Sequence, residues 1–115
     1  MIYEYSGYLR FGPLSDQKLQ AAKELAIRSG LDIFLGPNAL ELEYSGRDTN
    51  RKMARLLSLL AQVIHDAEGE IVCTIEKEDA APHFEFYSIR GGKLYRQKGR
   101  IVREDTKEII CLKSD

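Results

Sequence analysis

Several residue types and motifs that mark catalytic or metal-binding proteins are missing from this chain. Its 115 residues include two histidines and two cysteines, with no CxxC pair and no ligand spacing that joins them. GxSxG, HExxH and GxGxxG are also absent. Carboxylates are plentiful, but abundance alone does not define an acid–base pair. The sequence therefore predicts no catalytic residue, no metal site and no cofactor, and it favours a non-enzymatic protein.

Long apolar segments are lacking as well. The uninterrupted apolar runs are only a few residues long, so we predict no membrane-spanning helix. The first residues lack the basic start and apolar stretch of a signal peptide. Two isolated cysteines, Cys73 and Cys111, are typical of reduced thiols that fill space. We therefore expect a cytoplasmic protein with a single globular domain.

Strand and helix patterns are present in a regular order. Apolar residues alternate with polar ones in three segments, which are 2–11, 39–44 and 71–75, and residues 31–35 form a short apolar run. Apolar residues recur every three or four positions between Ser15 and Gly30, and again from Met53 to Ala67, with Gly69 expected to close the second helix. The order over residues 1–79 predicts an α+β ferredoxin-like βαββαβ sandwich. Both helices should then cover one face of an antiparallel sheet.

Positive charge is gathered near the C-terminus. Residues 87–103 hold six basic side chains and no acidic one, whereas residues 1–86 hold nine basic and fourteen acidic side chains. Gly91-Gly92 separates two alternating segments and predicts a basic β-hairpin over 82–103. This hairpin is added to the βαββαβ unit within one domain, 1–103. Residues 104–115 are predicted to be a charged tail or short turn.

Counting outward from the glycine pair predicts the register of the hairpin. Tyr87 should face Arg96, and Glu85 should form an exposed cross-strand pair with Lys98. Phe84 and Phe86 would then lie on the core side. The opposite surface would face outward and carry the Tyr87 ring beside a row of cations. Such a surface can stack on a base or on a partner's side chain. The candidate binding residues are Tyr87, Arg90, Lys93, Arg96, Lys98 and Arg100.

A second basic cluster lies at the start of the second predicted helix. Cations there oppose the helix dipole, whereas an anion bound at the first N–H groups would suit them. The candidate anion-binding residues are Arg47, Arg51, Lys52 and Arg55. In the alternative interpretation, Asp48 or Thr49 caps the helix and the cations point to solvent.

These features favour a small non-enzymatic binding protein. An aromatic, helix-free sheet face would bind another protein or a second copy, and the basic hairpin would steer an acidic partner. One alternative is a nucleic-acid-binding domain that uses the same hairpin, although the net charge of −1 weighs against it. Another is a small-ligand or enzymatic domain with a pocket between sheet and hairpin.

Overall fold

The computed structural model describes the backbone of residues 1–78, 80–104 and 107–114, and the side chains within 1–78 and 80–99. The elements are β1 (Ile2–Arg10), α1 (Asp16–Ser29), β2 (Ile33–Leu35), β3 (Ala39–Gly46), α2 (Lys52–Ile64), β4 (Glu68–Glu76), β5 (His83–Arg90), β6 (Lys93–Glu104) and β7 (Lys107–Ser114). The strands form one sheet in the order β2-β3-β1-β4-β5-β6-β7, and neighbouring strands are antiparallel. The predicted α+β class is confirmed.

Both helices pack on the same face of the sheet. The inward side chains of β1 and β4, including Tyr5, Leu9 and Ile71, form one core with the apolar stripe of α2. That stripe consists of Met53, Leu56, Leu57, Leu60, Ala61 and Ile64. Each large aliphatic side chain buried in this way contributes about 1.5–3 kcal/mol. The apolar residues that recur every three or four positions in the sequence are therefore the ones that hold α2 on the sheet.

Local residues set the ends of α1 as predicted. The Ser15 side chain accepts a hydrogen bond from the Lys18 amide at 3.2 Å. Gly30 ends the helix with φ 71°, and its N–H donates to the Ile27 carbonyl.

The end of α2 differs from the prediction. The helix stops at Ile64 rather than Gly69, and Gly69 lies within β4. The residues after the helix instead hold the tip of the β5–β6 hairpin: the Asp66 carboxylate accepts from the Gly91 amide, and the Ala67 amide donates to the Ile89 carbonyl. A tight turn at His65, with φ 73° and a hydrogen bond from the Asp66 amide to the Ile64 carbonyl, leads the chain to these contacts where the sequence predicted another helical turn.

The predicted register of the hairpin is confirmed, from Arg90 opposite Lys93 to His83 opposite Arg100. Gly91 and Gly92 have φ 56° and 75°, as a two-residue type I′ turn requires. The hairpin extends the sheet beyond β4 rather than folding over it.

The predicted tail is wrong for residues 107–114, which form β7 beside β6. A physical reason lies in the backbone, because β6 without a neighbour would present a long row of unpaired N–H and C=O groups. The run from Ile109 to Leu112 has the high β-propensity that suits it to this edge, and the charges around it obscured that signal.

Gly7 allows a close approach between β1 and β4. A Cβ atom there would lie 2.4 Å from the Glu70 carbonyl oxygen and 2.8 Å from the Ile71 Cα. Gly7→Ala should therefore push these strands apart and lower the free energy of unfolding by about 1–3 kcal/mol, measured by urea denaturation. Gly12→Ala is the matched control, since its Cβ meets nothing within 4 Å. Equal stability of the two variants would contradict this interpretation.

Candidate functional site

The candidate binding residues of the hairpin divide between the two faces of the sheet. β5 pairs with β4 so that Tyr87 lies opposite Ile71 and Glu85 opposite Cys73, which continues the inward rows of the core. Tyr87 is only 2% exposed, so the expectation that its ring looks outward is wrong. Arg96 and Lys98 share its face, whereas Arg90 and Lys93 lie on the helix-free face. The Arg100 side chain lies outside the described residues.

The reversed facing also moves the residues expected in the core. Phe84 and Phe86 lie on the helix-free face, half-buried, with their ring centroids 6.5 Å apart. The inward set is Glu85, Tyr87 and Ile89, of which Ile89 is fully buried. Two sets of contacts determine which face of β5 is buried. Ile89, near the tip of the hairpin, packs in the core with α2. Arg51, Tyr87 and Arg96 contact the Glu85 carboxylate.

Glu85 is a buried carboxylate, 4% exposed, with three side chains around it. An Arg51 Nη2 donates to its Oε1, and the Tyr87 hydroxyl donates to the same oxygen at 2.8 Å. Arg96 Nη1 lies 3.5 Å from the other oxygen. Arg51 also donates to the Tyr87 hydroxyl oxygen at 2.5 Å. Burying a carboxylate without such partners would cost several kcal/mol, so this ionic cluster makes the inward facing of Glu85 tolerable.

Arg51 is unusual in both its backbone and its side chain. It precedes α2 with φ 55° and ψ 41°, a left-handed conformation that costs a non-glycine residue about 1–2 kcal/mol. Its guanidinium carbon lies 5.4 Å from the centre of the Tyr3 ring. Burial acts to lower the pKa of Arg51, but the hydrogen bond to Glu85 and nearby negative groups raise it above its ordinary value. Arg51 is therefore a permanent cation.

Asp48 occupies the helix N-terminus where the sequence placed a candidate anion site. Its carboxylate accepts from the Lys52 amide at 2.8 Å, from the Met53 amide at 3.4 Å and from the Tyr5 hydroxyl at 2.6 Å. The N–H groups that an anion would need are thus bound by the chain's own carboxylate, as in the capping alternative.

The four cations of that candidate site do not converge. Arg51 turns inward to Glu85, whereas the Arg55 guanidinium donates to the Asn50 carbonyl at 2.6 Å. Arg47 and Lys52 line a shallow groove beside the end of α1. Within the described residues, Arg51 of this cluster and Arg96 of the hairpin share Glu85.

The role of Glu85 was not predicted from the sequence, whereas Asp48 was named there as a possible cap of the helix. Glu85 was expected to be an exposed partner of Lys98 across the strand. A usable signal existed, since Glu85 stands between two phenylalanines, and Arg51 stands where a cation opposes a helix dipole. A buried carboxylate and a cation at a helix N-terminus each destabilise the fold when alone. Pairing Glu85 with Arg51 offsets both costs.

A cleft of about 280 Å³ opens beside the ionic cluster. Arg51 lines it together with residues from the ends of β1, β4, β5 and β6. Its ionisable lining residues, other than the tyrosine of β1, are Arg51, Lys77, His83, Glu85 and Lys98. Cations therefore outnumber carboxylates in the lining.

The helix-free face of the sheet, called the interaction face below, combines apolar and charged side chains. Its apolar side chains are Tyr8, Phe34, Val72, Phe84, Phe86 and Tyr95. Phe34 is 67% exposed, Tyr8 48% and Tyr95 44%. Six exposed glutamates lie on β3, β1 and β4, namely Glu4, Glu41, Glu43, Glu68, Glu70 and Glu76. The cations Arg10, Arg90 and Lys93 lie in one row at one end of the face.

Comparisons with protein-family models, with curated proteins and with solved structures found no match to this chain. Within the described residues, no three histidine, cysteine or carboxylate side chains come together as metal ligands. In the same part of the chain, neither α1 nor α2 has the length and apolar content needed to cross a membrane.

The buried hydroxyls predict a loss of stability at alkaline pH. Burial, followed by a hydrogen bond to a carboxylate, raises the pKa of Tyr5 and of Tyr87 well above the ordinary value. Unfolded tyrosine ionises near pH 10, whereas these folded ones stay protonated. The two tyrosines therefore contribute their full stabilisation below about pH 10. Above that pH the free energy of unfolding falls by up to about 1.4 kcal/mol per pH unit for each tyrosine.

Urea denaturation between about pH 9 and pH 11 measures this decline. The control is the double variant Tyr5→Phe/Tyr87→Phe, which should be less stable at pH 9 yet decline less steeply. Burial raises the pKa of Cys73 to about 12, so its thiol adds the same decline to both proteins. Parallel declines in the two proteins would contradict the assignment to the tyrosines.

Proposed function

We propose that the protein is a small non-enzymatic interaction protein that pairs with a second copy of itself through the interaction face. The proposal includes a ferredoxin-like sandwich as the core unit. Its support is the strand order β2-β3-β1-β4, antiparallel throughout, with both helices on one face. A cytoplasmic location is also proposed, supported by the buried free thiol of Cys73.

One observation carries the self-association: opposite charges lie on different strands of a face that also carries exposed aromatic side chains. The six glutamates lie on β3, β1 and β4, three of them on β4, whereas Arg90 and Lys93 occupy the corner formed by β5 and β6. A face with opposite charges on its two sides is complementary to a copy of itself turned about a twofold axis.

We propose a position for that axis from the strand order. An axis parallel to the strands, between β1 and β4, places β3 of one protomer over β5 of the other and β2 over β6. In the register of the sheet, Glu41 then lies over Ser88, two residues from Arg90 along β5, and Phe34 lies over Tyr95. An aromatic pair and an ion pair thus repeat on both sides of the axis.

Contacts next to the axis are complementary too. The same operation brings Tyr8 of each protomer opposite Glu70 of the other, so a phenol meets a carboxylate. Arg10 lies opposite Glu68, its partner within one protomer at 3.4 Å, so the two pairs can join into a four-membered ionic network. Two packed sheets cross at about 30°. Residues at the edge of the interface are therefore displaced from this alignment more than these central residues are.

The nucleic-acid alternative has less support. It needs the hairpin cations in one row, whereas Arg90 and Lys93 lie on the opposite face from Arg96 and Lys98. Arg96 is also paired with Glu85.

A charge swap tests the proposed pairing. The single variant Arg90→Glu, or the single variant Glu41→Arg, brings like charges together at both symmetry-related contacts of the dimer. Each variant should therefore weaken dimerisation roughly tenfold or more. An equimolar mixture of the two variants should restore a dimer, because each contact then regains opposite charges. Sedimentation equilibrium at low salt measures both effects.

The matched control is Lys23→Glu, which changes an exposed charge on α1 by the same amount and should leave dimerisation unchanged. Wild-type protein that stays monomeric at every concentration would overturn self-association. A dimer that survives both single variants would place the interface on another surface.

A further inference from the structure

We propose that the cleft beside Arg51 binds a small organic anion, with carboxylate or phosphate oxygens on a compact apolar body. The cleft, about 280 Å³, lies near the lower limit of small-ligand pockets. This site is separate from the self-association proposed above, and its test does not depend on it.

The cleft is built where five elements end or begin. Arg51 comes from the start of α2, Tyr3 from β1, and Ile75 from β4. Lys77 follows β4, and Lys98 belongs to β6. Side chains from separate elements of a packed sheet are held at fixed distances, which is what a preformed site requires.

The electrostatics of the cleft favour an anion. Among the described residues that line the cleft, Glu85 is the one carboxylate, and its charge is already compensated by Arg51 and Arg96 with a further hydrogen bond from Tyr87. Lys77 and Lys98 add positive charge at the opening. The field that a ligand meets is therefore positive, although the whole chain carries −1.

Arg51 shows two features that burying Glu85 does not by itself require. Its left-handed backbone costs free energy, and its Nε is buried with no hydrogen-bond partner among the described residues. Strain and an unsatisfied donor are typical of residues that bind a ligand.

The apolar part of the lining selects an organic anion over an inorganic one. Tyr3 and Ile75 line the cleft, and the Tyr3 ring lies under the Arg51 guanidinium. Anionic oxygens would meet Arg51 and the lysines while an apolar body contacts the Met1 and Ile75 side chains that line the cleft. Arginine suits this geometry because its planar fork matches carboxylate and phosphate oxygens.

Titrations monitored by amide chemical shifts test the proposal with four probes: benzoate, phenyl phosphate, inorganic phosphate and neutral benzyl alcohol. Either organic anion, or both, should shift amides of the cleft residues Arg51, Lys77 and Lys98, and the stronger one identifies the preferred head group. Benzyl alcohol should shift them far less. The double variant Lys77→Gln/Lys98→Gln should weaken binding of the anion roughly tenfold, without change in melting temperature.

Lys18→Gln/Lys23→Gln is the matched control, since it removes two exposed lysines from α1 and should bind as the wild type does. Repeating the titration on Arg90→Glu separates this site from dimerisation. Equal shifts from benzyl alcohol, inorganic phosphate binding as tightly as phenyl phosphate, or full affinity in the cleft variant would each overturn the proposal. So would the absence of any cleft shift with both organic anions.

Discussion

The buried pairing of Arg51 with Glu85 is the contact on which the rest of the structure depends. It joins residues 34 positions apart in the chain and connects the start of α2 to the first strand of the hairpin. Because Glu85 has this partner, β5 can turn its glutamate and Tyr87 inward and leave Phe84 and Phe86 on the other face. Together with the pairing of β5 with β4, this ion pair therefore sets which side of the hairpin is core and which is surface.

Local signals were sufficient to predict much of the fold. Ser15 and Gly30 set the ends of α1, and the glycine pair at 91–92 set the turn and thereby every cross-strand pair of β5 and β6. Such features depend on residues close in sequence, where backbone preference and hydrogen bonding act directly. The α+β order followed from hydrophobic periodicity for the same reason.

The facing of β5 could not be predicted in that way. Each face of this strand carries two apolar side chains. Alternation therefore does not indicate which face is buried. The choice depends on β4 beside it and on Arg51 from a distant helix terminus, and local patterns contain neither contact. The same limit applies to β7, which pairs only because β6 offers it an edge. The candidate site changed accordingly, from one outward row of cations to a cleft and a separate sheet face.

A double-mutant cycle on Arg51→Met and Glu85→Leu tests the central claim most directly, with the free energy of unfolding as the readout. If the pair determines the facing of β5, Arg51→Met leaves Glu85 with Arg96 and the Tyr87 hydroxyl but without its closest cation, and Glu85→Leu leaves Arg51 without its carboxylate. Each single variant should lose about 3 kcal/mol, while the double variant recovers most of that loss. A coupling of about 2 kcal/mol or more is therefore expected. Losses that simply add in the double variant would contradict the account.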